Sequence, residues 1–509
     1  MDMQIAPAPL VTDHRRRLIL FFLLLTAMFM ATLDNQIVST ALPTIVGEFG
    51  HLDRFGWIGS AYLLSLSSVM PVYGKLGDLF GRKYVMLTAV GIFTLGSAVC
   101  GLAVSMDTLI AARVLQGLGG GGIMVSIFSI NADLFEPRER ARYQSYSSLV
   151  LMASGAIGPV LGGTMSDLFG WRSIFLVNVP IGVVVISGLV AMLPYRRPVR
   201  RPKIDYAGAL LLALATTCIV LAADATELFG SLLSVFTVGI IGCGTLAAIA
   251  LVLVERRAPE PIVPLSLFSN STFSKLLLIS VMSGGVAIGM VNYFALFLQT
   301  TTGLSPSMAG LLFILLTGGI VCGSLSAGRL ISVTGRYKPF AVASLACSAA
   351  AFALLTQIHA GTPIVIIGGL MLLHGIGIGL AQQVPVIGAQ NAAPARDVGA
   401  ATGAVTLSRM AGASIAISIY GAIIAARLSN AANSIPGLAN IEELTPKVIA
   451  TLSVETRGAV AEAYAAAFGP LFMTATAFCL VGLVTAITLK NVALPGASAR
   501  PAEATQAAE

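Results

Sequence analysis

Charge is scarce in this sequence: Asp, Glu, Lys and Arg make up only 10% of its 509 residues, against about 25% in ordinary soluble domains. Hydrophobic residues reach 56%, against roughly 45 to 50%, and together the two figures exclude a soluble enzyme. Cysteine is sparse. Cys100, Cys218, Cys243, Cys322, Cys347 and Cys479 all fall in apolar segments, so they read as small buried hydrophobes and no disulfide framework is expected. No Walker A sequence occurs, which removes nucleotide hydrolysis as an internal energy source. The run Gly117 to Gly122 has the spacing of a glycine loop but no Lys-Ser/Thr ending, and within an apolar segment close helix packing accounts for it better. No small-residue cleavage site follows the apolar run after MDMQIAPAPLVTDHRRR, so that run is expected to stay as a first span. The net charge of +7 is divided among short loops and forms no continuous surface, so nucleic acid is not an expected partner.

What is present is a succession of apolar stretches of about 20 residues, the length that crosses a ~30 Å hydrocarbon layer. Fourteen helical spans are predicted, at 18–46, 55–75, 84–104, 107–131, 145–166, 172–193, 207–224, 231–254, 274–299, 307–328, 339–358, 363–389, 400–424 and 467–489. With the N-terminus inside, 23 of the 30 Lys and Arg lie on the cytoplasmic side, 5 on the other and 2, Arg113 and Arg409, within spans. The bias predicts cytoplasmic termini. GKLGDLFGRK at 74–83 recurs, weakened, as GRLISVTGRY at 328–337, and Ser332 stands where the first copy has Asp78. The fold class expected is therefore all-α and membrane-embedded: six-helix bundles at 18–193 and 274–489, two extra helices in the linker 194–273, and cytoplasmic ends 1–17 and 490–509. The polar stretch 425–466 reads as an external loop with a short amphipathic helix. Two repeated membrane halves with a site between them are the layout of a secondary transporter.

Asp34, in FMATLDNQIVSTALPTI, is an acid well inside a span, where a carboxylate costs about 2.5 to 3.5 kcal/mol on insertion scales. Burial disfavours its charged form, so it is a candidate to take up and release a proton. Arg113, in ARVLQGLGGGGIMV, needs a carboxylate or carbonyl partner, and Asp34 is the candidate. Asn35 and Gln36 read equally as cavity residues or as interhelical contacts. Asn292, Tyr293, Phe297, His374, Gln382 and Arg409 are candidates for a wet central cavity, with Phe294 and Phe313 as aromatic contacts for a flat or cationic ligand. At the turn GKLGDLFGRK, Asp78 can pair with Arg82 or Lys83, or with a neighbouring helix N-terminus, and hold the halves together in one state. Gly155, Gly158, Pro159, Gly162 and Gly163, in GAIGPVLGG, combine small-residue spacing with a bend and suggest a hinge and seal between helices.

LDNQIVSTALPTI, GKLGDLFGRK, ARVLQGLGGG and GAIGPVLGG, with WRSIFLVNVPIG, DYAG and PLSLFSN, resemble the major facilitator superfamily, specifically its fourteen-span drug:proton antiporters of the QacA/EmrB type. The resemblance implies alternating access between two six-helix bundles and efflux driven by protons entering from outside. It makes Asp34 the embedded protonation site, Arg113 the residue that tunes it, Gly74, Asp78, Gly81 and Arg82 the gate, and Gly158 to Gly163 the antiporter seal. Members that export divalent cations carry further acids in later spans, which are lacking here, so doubly charged substrates are not expected. The expected function is multidrug efflux of amphipathic, monocationic or neutral compounds, with an antibiotic-resistance role, from a bacterial inner (plasma) membrane. No cofactor is expected beyond the proton gradient, and no metal. The expected partners are small molecules, protons and the bilayer; a monomer is the working expectation, and a membrane-fusion partner is left open. A dedicated exporter of one metabolite or antibiotic would share these motifs. A transport-inactive sensor would not need Asp34 and Arg113 together, and an importer would lack the span 5 seal.

Overall fold

The apolar runs fold as helices whose ends are set by polar caps and glycine turns. The computed structural model describes residues 10–49, 55–196, 205–223, 234–304, 306–359, 361–432, 454–491 and 494. In the N-terminal half these are α1 (His14–Phe49), α2 (Phe55–Phe80), α3 (Arg82–Gly101), α4 (Met106–Leu134), α5 (Pro137–Ser145), α6 (Ser147–Phe169), α7 (Ser173–Leu176) and α8 (Asn178–Met192). The linker supplies α9 (Tyr206–Ala223) and α10 (Val235–Glu255). The C-terminal half holds α11 (Ser271–Ala287), α12 (Val291–Thr301), α13 (Pro306–Thr334), α14 (Lys338–Leu355), α15 (Ile364–Ala381), α16 (Val384–Ala392), α17 (Val398–Ala432) and α18 (Val454–Ile487). Ser105 opens α4 with a capping box, its hydroxyl accepting the Thr108 amide while the Thr108 side chain accepts the Ser105 amide. Gly81, at φ +89°, turns α2 into α3, and Gly335, at φ +68°, ends α13. These two are the same position of the repeated segment, and only glycine enters that region without a Cβ clash.

Ten helices among the described residues are long and apolar enough to cross a membrane, and Tyr206–Ala222 and Ser271–Ala287 are shorter apolar helices. Helix covers part of each of the fourteen expected spans, but length and composition carry ten. Several expected spans are broken. The twelfth, 363–389, stops at Ala381 and restarts at Val384, because Pro385 has no amide to continue the ladder and biases the residue before it away from the helix. The ninth divides at residues 288–290 beside Gly284, Gly285 and Gly289, and the sixth divides at Val177. The stretch 425–466, expected as an external loop with a short amphipathic helix, is helical at both ends: α17 runs on to Ala432, and α18 begins at Val454 and continues into the last span without a break. Residues 433–453 lie outside the described residues. The alanines of VETRGAVAEAYAAAF favour helix, and they join the short helix expected there to the last span.

Each half packs its own core. Phe21, Met30, Tyr62 and Phe93 belong to one buried cluster, and Phe294, Phe297, Phe352, Phe468 and Phe472 to another. Glycine brings backbones together: a Cβ at Gly117 or Gly121 of α4 would strike the carbonyls of Tyr62 or Leu66 in α2, and one at Gly119 would strike the backbone of Phe93 in α3. Close approach of this kind is how helices gain contact where lipid supplies no hydrophobic drive. The halves meet along α2 and α17 and along α5 and α13, and α9, paired with α10, lies against both α2 and α17. α10 leaves Val235, Phe236, Leu246 and Leu253 exposed, an apolar face suited to lipid.

At the end away from the basic loops, the Glu48 carboxylate pairs with Arg172 at 2.8 Å and accepts the Trp171 indole N–H at 2.7 Å. Bonds from Arg172 and then Trp171 hold Glu48 below its ordinary value of 4.5. A depressed carboxylate contributes its stabilisation above the ordinary range and loses it as pH falls through the lowered value. In a Trp57→Phe background, Trp171 fluorescence is expected to change with a midpoint below 4.5. Arg172→Gln should move that midpoint upward; an unmoved midpoint would remove Arg172 as the cause.

Candidate functional site

Helices α1, α3, α4 and α8 converge on Asp34, which is 1% exposed, and Arg113, which is 0% exposed. The Arg113 guanidinium donates from Nη1 to Asp34 Oδ2 at 2.5 Å and to Gln116 Oε1 at 2.6 Å, and from Nε to the Ile58 carbonyl at 3.2 Å. Asp34 Oδ1 accepts Gln116 Nε2 at 2.7 Å and Asn178 Nδ2 at 2.9 Å. Ser97 Oγ accepts the same two amides, at 2.7 and 3.4 Å. Arg113 lies over the Tyr62 ring at 4.3 Å, while the Tyr62 hydroxyl donates to the Ala31 carbonyl at 3.1 Å. A buried ion pair is tolerable only when further hydrogen bonds satisfy its partners; this network satisfies both Asp34 oxygens and the Nε and Nη1 of Arg113, and leaves Arg113 Nη2 buried without a hydrogen-bond partner among the described residues. The expected pairing of Asp34 with Arg113 is present. Gln116, Asn178 and Ser97 were not singled out from sequence, although the first two stand in quoted motifs, since amides and hydroxyls in membrane helices carry little signal until the fold brings them together.

At the basic end the halves are bound through Asp78. Its carboxylate accepts the Gly399 amide at 2.8 and 3.1 Å and the Ala400 amide at 3.1 Å, so it caps the start of α17. It also pairs with Arg82 at 3.4 Å, and Arg82 pairs with Asp133 at 2.9 Å and donates to the Ser129 carbonyl. A Cβ at Gly74 would run into the Gly399 carbonyl, and one at Gly399 into the Gly74 carbonyl and, at 2.7 Å, Asp78 Oδ1. Lys75, its side chain 3% exposed, lies 3.3 Å from Glu260 of the linker and 3.7 Å from Asp397. Arg140 donates to Gln390 Oε1 at 3.1 Å, and Ser148 Oγ meets Ser324 Oγ at 2.7 Å. Burial, with the nearby charge of Arg82, pulls Arg140 down to about 10.

The other sequence candidates divide between packed core and small polar contacts. Phe297 is buried against Phe468 and Phe472, with ring centres 5.1 and 5.3 Å away, and is core rather than cavity wall. His374 is also buried, beside the Phe352 ring at 4.5 Å, with Nδ1 3.2 Å from Ser348 Oγ. Tyr293 donates its hydroxyl to the Ile417 carbonyl at 2.9 Å. Asn35 is half-buried and Gln36 exposed; the side chains of Asn292 and Pro159 lie outside the described residues. In α6 only part of the expected seal makes a close approach: a Cβ at Gly158 would lie 2.5 Å from the Gln36 Cβ, but nothing stands within 4 Å of one at Gly155 or Gly163. Gly158 faces α1 while the other two, three and five residues away, turn outward; Gly162, four residues on, is buried. Gln382 and Arg409 do meet: Arg409 Nη2 donates to Gln382 Oε1 at 2.9 Å and Nη1 to the Gln382 carbonyl at 3.3 Å.

The sequence pattern of the Major Facilitator Superfamily matches residues 24–417. The chain belongs to that superfamily. An uncharacterised MFS-type transporter of Mycobacterium tuberculosis is 34% identical over 500 residues, covering 96% of this chain and 72% of that one. The multidrug transporter protein MdtP of Bacillus subtilis is 31% identical over 424 residues, covering 82% and 76%. Among solved structures, the human organic anion transporter MFSD10 is similar at a TM-score of 0.60 and 16% identity, covering 92% of this chain and all of that one. The proton:xylose symporter XylE is similar at 0.59 and 14%, covering 92% and 96%; likeness at this identity shows the fold. As a superfamily member with efflux relatives, the chain is a membrane-spanning transporter rather than an enzyme.

Proposed function

We propose that the chain is a proton-driven efflux antiporter that exports amphipathic compounds from the cytoplasm or inner leaflet by alternating access, across a bacterial plasma membrane, with fourteen crossings and both termini inside. The observation that carries this reading is the enclosed Asp34–Arg113 pair. Packing alone has no need of a carboxylate at that depth, and a proton reaching Asp34 would cancel its attraction to Arg113 and loosen four helices at once. In this reading the basic loops put the end joined by Asp78, Gly74 and Gly399 inside, so the described state is closed toward the cytoplasm. One proton supplies about 1.4 kcal/mol per pH unit and about 2.3 kcal/mol per 100 mV, enough to concentrate a neutral solute against a gradient.

Proton-jump transport in proteoliposomes tests the reading. Asp34→Asn is expected to bind substrate and to lose proton-driven flux to background. Equal flux in wild type and variant would move the coupling away from Asp34, with His374 the next group to examine. A dedicated exporter of one metabolite or antibiotic would behave alike here and differ by showing no competition among unrelated compounds. Monocationic substrates, the preference drawn from the family resemblance, would want a carboxylate in the cavity wall. Between residues 271 and 432 the only acid is Asp397, at the basic end.

A further inference from the structure

The C-terminal half contains a buried polar pocket with the opposite charge balance to the Asp34 network. Between α11, α14, α15 and α17 lies a cavity of about 20 Å³, lined by Ser283, Ser344, Ser348, Gln382 and Arg409 among apolar residues. That is room for one small group such as a water or a carboxylate oxygen. Two of the Arg409 donors go to Gln382, whose carbonyl is freed by the break between α15 and α16. Its Nε is buried and has no hydrogen-bond partner. Among the described residues no carboxylate pairs with Arg409. The whole stretch 271–432 offers one acid, Asp397, and that one is held by Lys75 and Arg396. The carbonyl end of α15 offsets only about half a charge. An intramembrane arginine is normally matched by an anion, and none of the described residues supplies a carboxylate here.

We propose that the Arg409 pocket binds the carboxylate of the exported compound, so that the preferred substrates are amphipathic acids or zwitterions rather than simple cations. This rests on the transport reading above and names its substrate class. The planar guanidinium fork matches a carboxylate, and of the serines that line the cavity Ser344 and Ser348 can donate to its second oxygen, while Ser283 donates to the Ser280 carbonyl.

Two dyes with one ring system separate the possibilities: rhodamine 110, a free carboxylic acid, and rhodamine 123, its methyl ester and a monocation. Binding to the purified full-length protein is measured by fluorescence anisotropy. Wild type is expected to hold the acid at least about tenfold more tightly than the ester, the discrimination a charged hydrogen bond provides. Arg409→Gln should remove that gap by weakening the acid alone, and Arg409→Lys should keep part of it. Equal binding of the two dyes, no binding of either, tighter binding of the ester, or a variant that weakens both alike would overturn the proposal. The wild-type comparison stands even where a variant does not fold. Protection of wild type by chloride, lost in Arg409→Gln while the dyes bind alike, would assign the pocket to a free anion and also overturn it. Acid-selective binding without proton-driven flux would leave the pocket intact and sink the antiport reading; proton-driven flux without acid preference would do the reverse.

Discussion

Arg113→Met is expected to destabilise the protein by about 3 to 5 kcal/mol, because it leaves Asp34 buried without its counter-ion. Gln116 and Asn178 would still donate to Asp34 Oδ1, but Oδ2 would lose Arg113. The diagnostic variant is the double one. Asp34→Asn combined with Arg113→Met removes both charges, and replacing a buried pair by neutral groups of similar volume is often nearly neutral, so much of the stability should return. Unfolding of the purified single and double variants in one detergent measures this. If the double variant is as unstable as Arg113→Met, the penalty comes from lost arginine packing against Tyr62 and Phe175 rather than from an uncompensated charge.

The second large effect concerns the basic end. Ser148 and Ser324, from α6 and α13, stand with their oxygens 2.7 Å apart across the two halves. Cysteines at both positions, in a background without the six native ones, are expected to form a disulfide that keeps this end shut. Transport should then fall to background under oxidation and return on reduction. Flux that continues through the cross-linked protein would show that this interface does not open in the cycle, and alternating access through it would have to be abandoned.

Some of this was legible in the sequence for a simple reason: charge inside an apolar run is expensive, so Asp34 and Arg113 stand out. The repeat at 74–83 and 328–337 was legible through its glycines, and Gly81 and Gly335 carry the same left-handed turn. Gln116, Asn178 and Ser97 were not legible, because their meeting depends on four helices being brought side by side. The small residues of GAIGPVLGG look alike in sequence, yet helical rotation turns Gly158 toward α1 and Gly155 and Gly163 away. At 363–389 hydropathy averaged over the window outweighed Pro385, so the break that frees the Gln382 carbonyl was passed over. At 454–466 a short helix within the loop is legible, but not that it runs straight into the last span as one helix from Val454.

The contact between Gly74 and Gly399 is main chain against main chain. A wall made of side chains flickers, since rotamers exchange quickly and let water file between them; one made of two peptide backbones has no moving parts. For the proton-driven antiporter proposed above this would be insulation. Every proton slipping past the closed end would discharge the membrane without moving cargo, so even a single added methyl group, by wedging two helices apart, would tax the whole cell rather than merely slow one pump.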